Sequence, residues 1–232
     1  MAAEKVAVEA WPGRPLGSAA SGPLVARFEA WAAAAPKDAR AQVALAQVLY
    51  WHGLQLSDDA APEARQLEAF TRGLAAAQRA TELDGKNPGG PFWDAVNRAK
   101  QAELRGIVAS ASELPTLEKR MNRVDVLQQC YFHGGVWRYW AAVIARTPTW
   151  LVRVQGRSIR DGEDAVRKSL ACEPSFVGTY RFWAELRLKD GDAAGARVLL
   201  KKGLELPESN NPEVAAWNRH ERMLCRRMLG AL

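Results

Sequence analysis

The stretch Ser175–Pro207, SFVGTYRFWAELRLKDGDAAGARVLLKKGLELP, decides the fold. Apolar residues recur three and four apart on both sides of Gly191-Asp192, the period of helices that each bury one face. Gly191 and Asp192 read as the turn between them, and Pro207 as the stop, because proline cannot continue a helix. Ala184 opens a close contact between the two helices, and Ala196 and Gly203 let the second nest against the first. A single hairpin cannot bury its apolar face alone, so this alternation of small and large positions asks for neighbouring hairpins, as in tetratricopeptide units.

Working outward, DGEDAVRKSLACEP (Asp161–Pro174) and NPEVAAWNRHERMLCRRMLGAL (Asn211–Leu232) repeat the same punctuation around short helices. Towards the N-terminus, Val25, Phe28, Trp31 and Ala32 form one stripe closed by Pro36. Val43, Ala44, Val48 and Leu49 form the next, closed around Gly53. A third helix runs from about Pro62 to Leu83 and ends in Asp84, Gly85, Asn87, Pro88, Gly89 and Gly90. Helical spacing resumes from Pro91 to about Gly106 and from Glu113 to about Tyr131, with Leu114, Leu117, Met121, Val124 and Leu127 on one face. The β-like run Trp150–Val154 stands alone and would lack a ladder partner, so it reads as a connector or a helical turn. Pro12, Gly13, Pro15, Gly17, Gly22 and Pro23 make residues 1–23 a poor helix and an expected flexible arm. The expectation is an all-α chain of tetratricopeptide-like stacked antiparallel helical hairpins, an α-solenoid or irregular helical bundle, forming one domain over residues 24–232.

The 232 residues are 48% hydrophobic and 25% charged, the balance of a soluble folded chain. No window supplies the roughly 18 uninterrupted apolar residues of a membrane span. Lys and Arg number 32 against 26 Asp and Glu, a net charge of +6. The cations are scattered, with no run of five or more, so no nucleic-acid partner is expected. The densest group, Arg219, His220, Arg222, Arg226 and Arg227, reads as a solvated face. The opening residues, MAAEKVAVEAWPGRPLGSAASGP, contain neither the apolar stretch of a secretory signal nor a lipid-acceptor cysteine. A periplasmic location is expected if a leader was removed, and a cytoplasmic one if the chain is complete as it stands.

Reactive chemistry finds little support. Cys130, Cys172 and Cys225 are far apart, odd in number, and lack C-x-x-C spacing, so all three read as buried apolar fillers. Cys130 and His133 could pair as thiolate and base, but no oxyanion hole or orienting group accompanies them. His52, His133 and His220 have no second ligand at i+3 or i+4. Gly89-Gly90 and Gly134-Gly135 lack the preceding strand of a phosphate loop and read as turns. The second pair lets a helix begin close to its neighbour's backbone. No catalytic residue, metal or cofactor is expected. The nine tryptophans carry more weight. A groove formed by His133, Gly134, Gly135, Trp137, Arg138, Trp140, Arg146 and Trp183 would offer stiff aromatic surface and planar cations to an acidic peptide or organic acid.

From about Ala41 to Leu232 the chain resembles the TRAP-transporter TatT component family, helical proteins related to tetratricopeptide repeats. The residues that carry the likeness are ALAQVLYWHG (Ala44–Gly53), LEAFTRGLAAAQRATEL (Leu67–Leu83), PFWDAVNRAKQAELRG (Pro91–Gly106), YFHGGVWRYWAAVIARTP (Tyr131–Pro148) and the closing helix rich in Arg and Leu. The resemblance implies a non-enzymatic partner of a tripartite uptake system for organic acids, holding a hydrophobic ligand or organising subunits. Other readings of the same residues are a cytoplasmic tetratricopeptide-like adaptor for protein–protein interaction and a carrier of a small organic acid or hydrophobic ligand. A protein partner is expected; the sequence does not fix the oligomeric state.

Overall fold

The computed structural model describes residues 2–232, and these form twelve helices with no strand among the described residues. They fall into two compact units that meet in sequence at Gln129 and Cys130.

The first unit contains α1 (Ala2–Ala10), α2 (Ser18–Ala34), α3 (Ala39–Asp58), α4 (Glu63–Leu83), α5 (Gly89–Leu104) and α6 (Ile107–Leu127). Each helix packs on the next, and α3 also reaches α5. The stripe expected on α2 is buried: Leu24, Val25, Phe28 and Trp31 share a core with Val48 and Leu49 of α3. The Asp38 carboxylate caps α3 by accepting from the Arg40 amide at 2.9 Å, a contact worth about 1 kcal/mol.

Two expectations fail here for the same physical reason. Gly53 does not close its helix; α3 continues to Asp58. A Cβ at Gly53 would stand 2.5 Å from Phe70 Cε1, so the glycine is where α4 presses onto α3. Gly89 and Gly90 likewise open α5 rather than ending a turn, and a Cβ on Gly90 would collide with Thr81 of α4. Glycine marks helix crossings as readily as turns.

The poor helix expected over residues 1–23 is corrected within the described residues. Residues 2–10 and 18–34 are helical, and Ala7, Arg14 and Ser21 are buried. The Arg14 guanidinium lies 4.1 Å from the Trp11 ring centroid and 4.9 Å from that of Trp51. Trp51 Nε1 donates to Pro15 O at 3.2 Å, and Gln55 Oε1 accepts from the Gly17 amide at 2.7 Å. Ser21 Oγ meets His52 Nδ1 at 2.7 Å. Burial, reinforced by the Arg65 charge, holds the His52 pKa below its ordinary value. Proline and glycine weaken the segment locally, but side chains of α3 hold it in place.

The second unit contains α7 (Tyr131–Arg146), α8 (Thr149–Val154), α9 (Ile159–Cys172), α10 (Val177–Lys189), α11 (Ala193–Glu205) and α12 (Pro212–Gly230). The run Trp150–Val154 is the helical turn α8. Helix α10 is the hub, packing on α7, α9, α11 and α12. The hairpin α10–α11 follows the sequence closely. Gly191 takes φ +83° in the turn, Asp192 accepts from the Gly195 amide at 2.7 Å, and Ala184, Ala196 and Leu200 are fully buried. A Cβ on Gly203 would lie 3.1 Å from Tyr180 Cβ.

Gly53→Ala should destabilise the protein by about 1–3 kcal/mol, because Phe70 must shift. Gly22→Ala in α2, where a Cβ meets nothing within 4 Å, should be neutral or stabilising by up to about 1 kcal/mol. Denaturant unfolding of the two variants checks this contrast; equal effects would disprove the crossing role of Gly53.

Candidate functional site

Helix α7 begins with a turn of the wrong hand. Phe132 (φ 50°, ψ 47°), His133 (φ 56°, ψ 45°) and Gly134 (φ 78°, ψ 26°) are all left-handed, a conformation that costs about 1–2 kcal/mol per non-glycine residue. Arg138, one turn further on, compensates by donating from Nη2 to Phe132 O at 2.6 Å and from Nη1 to His133 O. Its guanidinium carbon sits 3.6 Å from the Phe176 ring centroid. Burial pulls the Arg138 pKa down to about 9, against the attraction of Glu221, Glu173 and Glu213. The group is therefore a cation at neutral pH.

Cys130 and Cys172 correct the reading of the cysteines as buried fillers. They form a disulfide across 42 residues, joining the residue before α7 to the end of α9, and Cys130 is exposed. Cys225 does behave as a filler: it is free and buried, and burial followed by the Glu221 charge pushes its thiol up to about 12. The close approach expected at the glycine pair falls on Gly134, where a Cβ would lie 3.0 Å from both Cys172 Cβ and Ser169 O.

Seven of the eight residues of the expected groove lie along α7, and Trp183 lies on α10. His133, Gly134, Gly135 and Arg138 belong to the first turns of α7, with His133 Nε2 at 3.5 Å from Glu213 Oε2. Trp137 lies 4.2 Å from Lys168 Nζ, and buried Trp140 lies 4.2 Å from the Arg157 guanidinium. Trp183 is half-buried on α10, with an indole N–H that finds no hydrogen-bond partner. Arg146 occupies the last turn of α7.

Arg146 instead joins a charge network that sequence reasoning did not single out. It donates to Glu185 from Nε at 2.8 Å and from Nη2 at 3.1 Å. Glu185 also accepts from Arg181 Nη1, and Arg181 forks onto Glu221 at 2.5 and 3.2 Å. Arg181 and Glu221 are buried, and Gly178 makes the space, since a Cβ there would lie 2.8 Å from Glu221 Cδ. The i, i+4 spacing of Arg181 and Glu185 was the one signal in the sequence. Burial alone would raise the pKa of Glu221 and Glu185. The Arg181 charge outweighs it for both, with Arg146 adding to the effect on Glu185, and both carboxyls sit below their ordinary value. Their contribution to stability is thus present above about pH 4.5 and lost as pH falls through the lower folded values.

Beside Arg146 and Glu185, an open hollow of about 520 Å³ is lined also by Thr147, Pro148, Leu188 and Lys189. Lys189 Nζ donates to Ile144 O at 2.5 Å and to Thr147 O, tying α10 to the end of α7. Among the described residues no group of three or more His, Cys, Asp or Glu is placed to hold a metal ion.

Arg181→Met should cost about 3–5 kcal/mol, because it leaves Glu221 buried without its counter-charge. Adding Glu221→Met should recover much of that loss. Chemical unfolding of both variants tests the pairing, and a double variant less stable than the single one would refute it.

No family model and no curated protein matches the chain. Among solved structures it is similar to TTC0263, a thermophilic TPR protein in Thermus thermophilus. The two share a TM-score of 0.64 and 14% identity, over 94% of this chain and 96% of that one. The likeness shows the fold, that of stacked tetratricopeptide-like helical hairpins.

Proposed function

We propose that the chain is a non-enzymatic helical-repeat binding or scaffolding protein that works outside the reducing cytoplasm, as an accessory component of a TRAP-type solute uptake system. The helical-repeat fold supports the scaffolding half of this reading, since stacked hairpins present long surfaces suited to protein partners. The disulfide Cys130–Cys172 carries the choice of compartment. Disulfides persist in oxidising spaces such as the bacterial periplasm and are rare in the cytosol, so the bridge favours the uptake role over a cytoplasmic adaptor. The arrangement of charge agrees with a binding rather than a catalytic role. Glu185 and Glu221 are engaged by arginines, and Arg138 by backbone carbonyls. The hollow at Arg146 and Lys189 favours a second reading, a carrier of a small organic acid, in which a ligand carboxylate takes the place of Glu185 on Arg146.

Acid-quenched cells expressing the chain, treated with a maleimide before and after reduction, should show Cys130 and Cys172 labelled only after reduction. Both thiols labelled without reductant would favour the cytoplasmic adaptor. The purified protein should co-elute with the solute-binding subunit of a TRAP system in size-exclusion chromatography, and separate elution would contradict the uptake role. An organic acid released when the same sample is denatured would point to the carrier.

A further inference from the structure

Helix α8 has a buried foot and an exposed crown. Val152 is 3% exposed, whereas Trp150 is 64% and Val154 77% exposed. Trp150 and Val154 are four residues apart, so their side chains share one face of the turn. Single exposed apolar residues are ordinary on a protein surface, but two on one face of a short helix make a joint apolar patch.

The surrounding charge narrows the choice. Residues 147–160 contain Arg153, Arg157 and Arg160 and no carboxylate. Arg153 and Arg160 are exposed, and their side chains make no hydrogen bond or ion pair among the described residues. Asp161, the next residue along the chain, accepts from Ser158, and Glu185 is held by Arg146 and Arg181. The patch therefore pairs an apolar protrusion with uncompensated positive charge, and its complement is anionic.

Size separates the two anionic surfaces that could meet it. Six residues of helix about 9 Å long and 10–12 Å across offer a face on the order of 100 Å², far short of the roughly 800 Å² per partner that a stable protein interface buries. A bilayer needs less. A tryptophan settles at headgroup depth, and arginines beside it draw on the negative surface potential of anionic lipids. We infer that α8 is a peripheral docking site for an anionic membrane surface. Trp150 and Val154 enter the boundary between headgroups and acyl chains, and Arg153 and Arg160 reach the lipid phosphates. So small an inserted area makes the attachment reversible. This role does not depend on the scaffolding function and is measured without any protein partner.

Co-sedimentation of the full chain with vesicles of mixed phosphatidylcholine and phosphatidylglycerol, against phosphatidylcholine alone, tests the assignment. Binding is expected on the anionic vesicles only and should weaken as salt is raised. Trp150→Ala should lower it about tenfold, and Arg153→Glu with Arg160→Glu should reduce it to the phosphatidylcholine level. Val198→Ala, at an exposed position on α11, should bind as the parent does. Circular dichroism and melting temperature should be unchanged in all of these variants. Failure of the parent chain to bind, equal binding to both vesicle types, or parental binding by the α8 variants would each overturn the proposal. Equal affinity for a polyglutamate peptide, lost in the same variants, would assign the patch to an acidic protein and overturn the lipid reading.

Discussion

Helices stacked in chain order can come close only where one of them gives up a side chain. Gly53 receives the Phe70 ring, Gly73 faces Asn97, Gly178 admits Glu221, and Gly203 lies against Tyr180. These positions set how near neighbouring backbones come, and through that, how completely Val48, Leu49, Leu186 and Leu200 leave water. A buried leucine or valine contributes about 1.5–3 kcal/mol when it is covered and little when it is not. The glycines carry no contact energy of their own, yet the apolar burial depends on them.

The same closeness brings charges indoors. Asp94 is buried between Arg98 at 3.2 Å and Arg120 at 3.4 Å in the first unit. In the second, Arg181 links Glu221 to Glu185, and Arg146 closes the chain. A buried ion pair adds little net stability over a well-packed apolar pair, but losing one partner is costly. Such networks therefore fix register more than they strengthen the core. In α10, they decide which face meets α12 and which meets α7. Arg138 does related work on a backbone, where its fork donates to two carbonyls of the left-handed turn.

The hairpin Val177–Glu205 was legible in the sequence because its turn residues, small positions and apolar period all agree. Pro62–Leu83 was legible for the same reason. The misreadings cluster at letters with two physical uses. Glycine serves a turn or a crossing, and at Gly53 and Gly90 only the partner across the crossing decides which. The segment through Pro12, Gly13 and Pro15 has weak helical propensity, but Arg14 between two indoles and Gln55 beneath Gly17 supply the tertiary contacts that propensity cannot reveal. The disulfide joins residues 42 apart and sits beside a left-handed turn that nothing in the letters YFHGG requires. The Trp- and Arg-rich block is unusual in composition, but its arginines divide between a backbone clasp at one end of α7 and a charge network at the other.

If α10 is the hub on which the second unit is built, its amides open only when the whole unit unfolds, while the short, outward-facing α8 opens locally. Native-state hydrogen exchange measures this directly. The slowest exchange is expected along Tyr180–Leu188 and the fastest helical exchange at Thr149–Val154. Comparable rates in the two segments would contradict a fold organised around α10 and its buried charges.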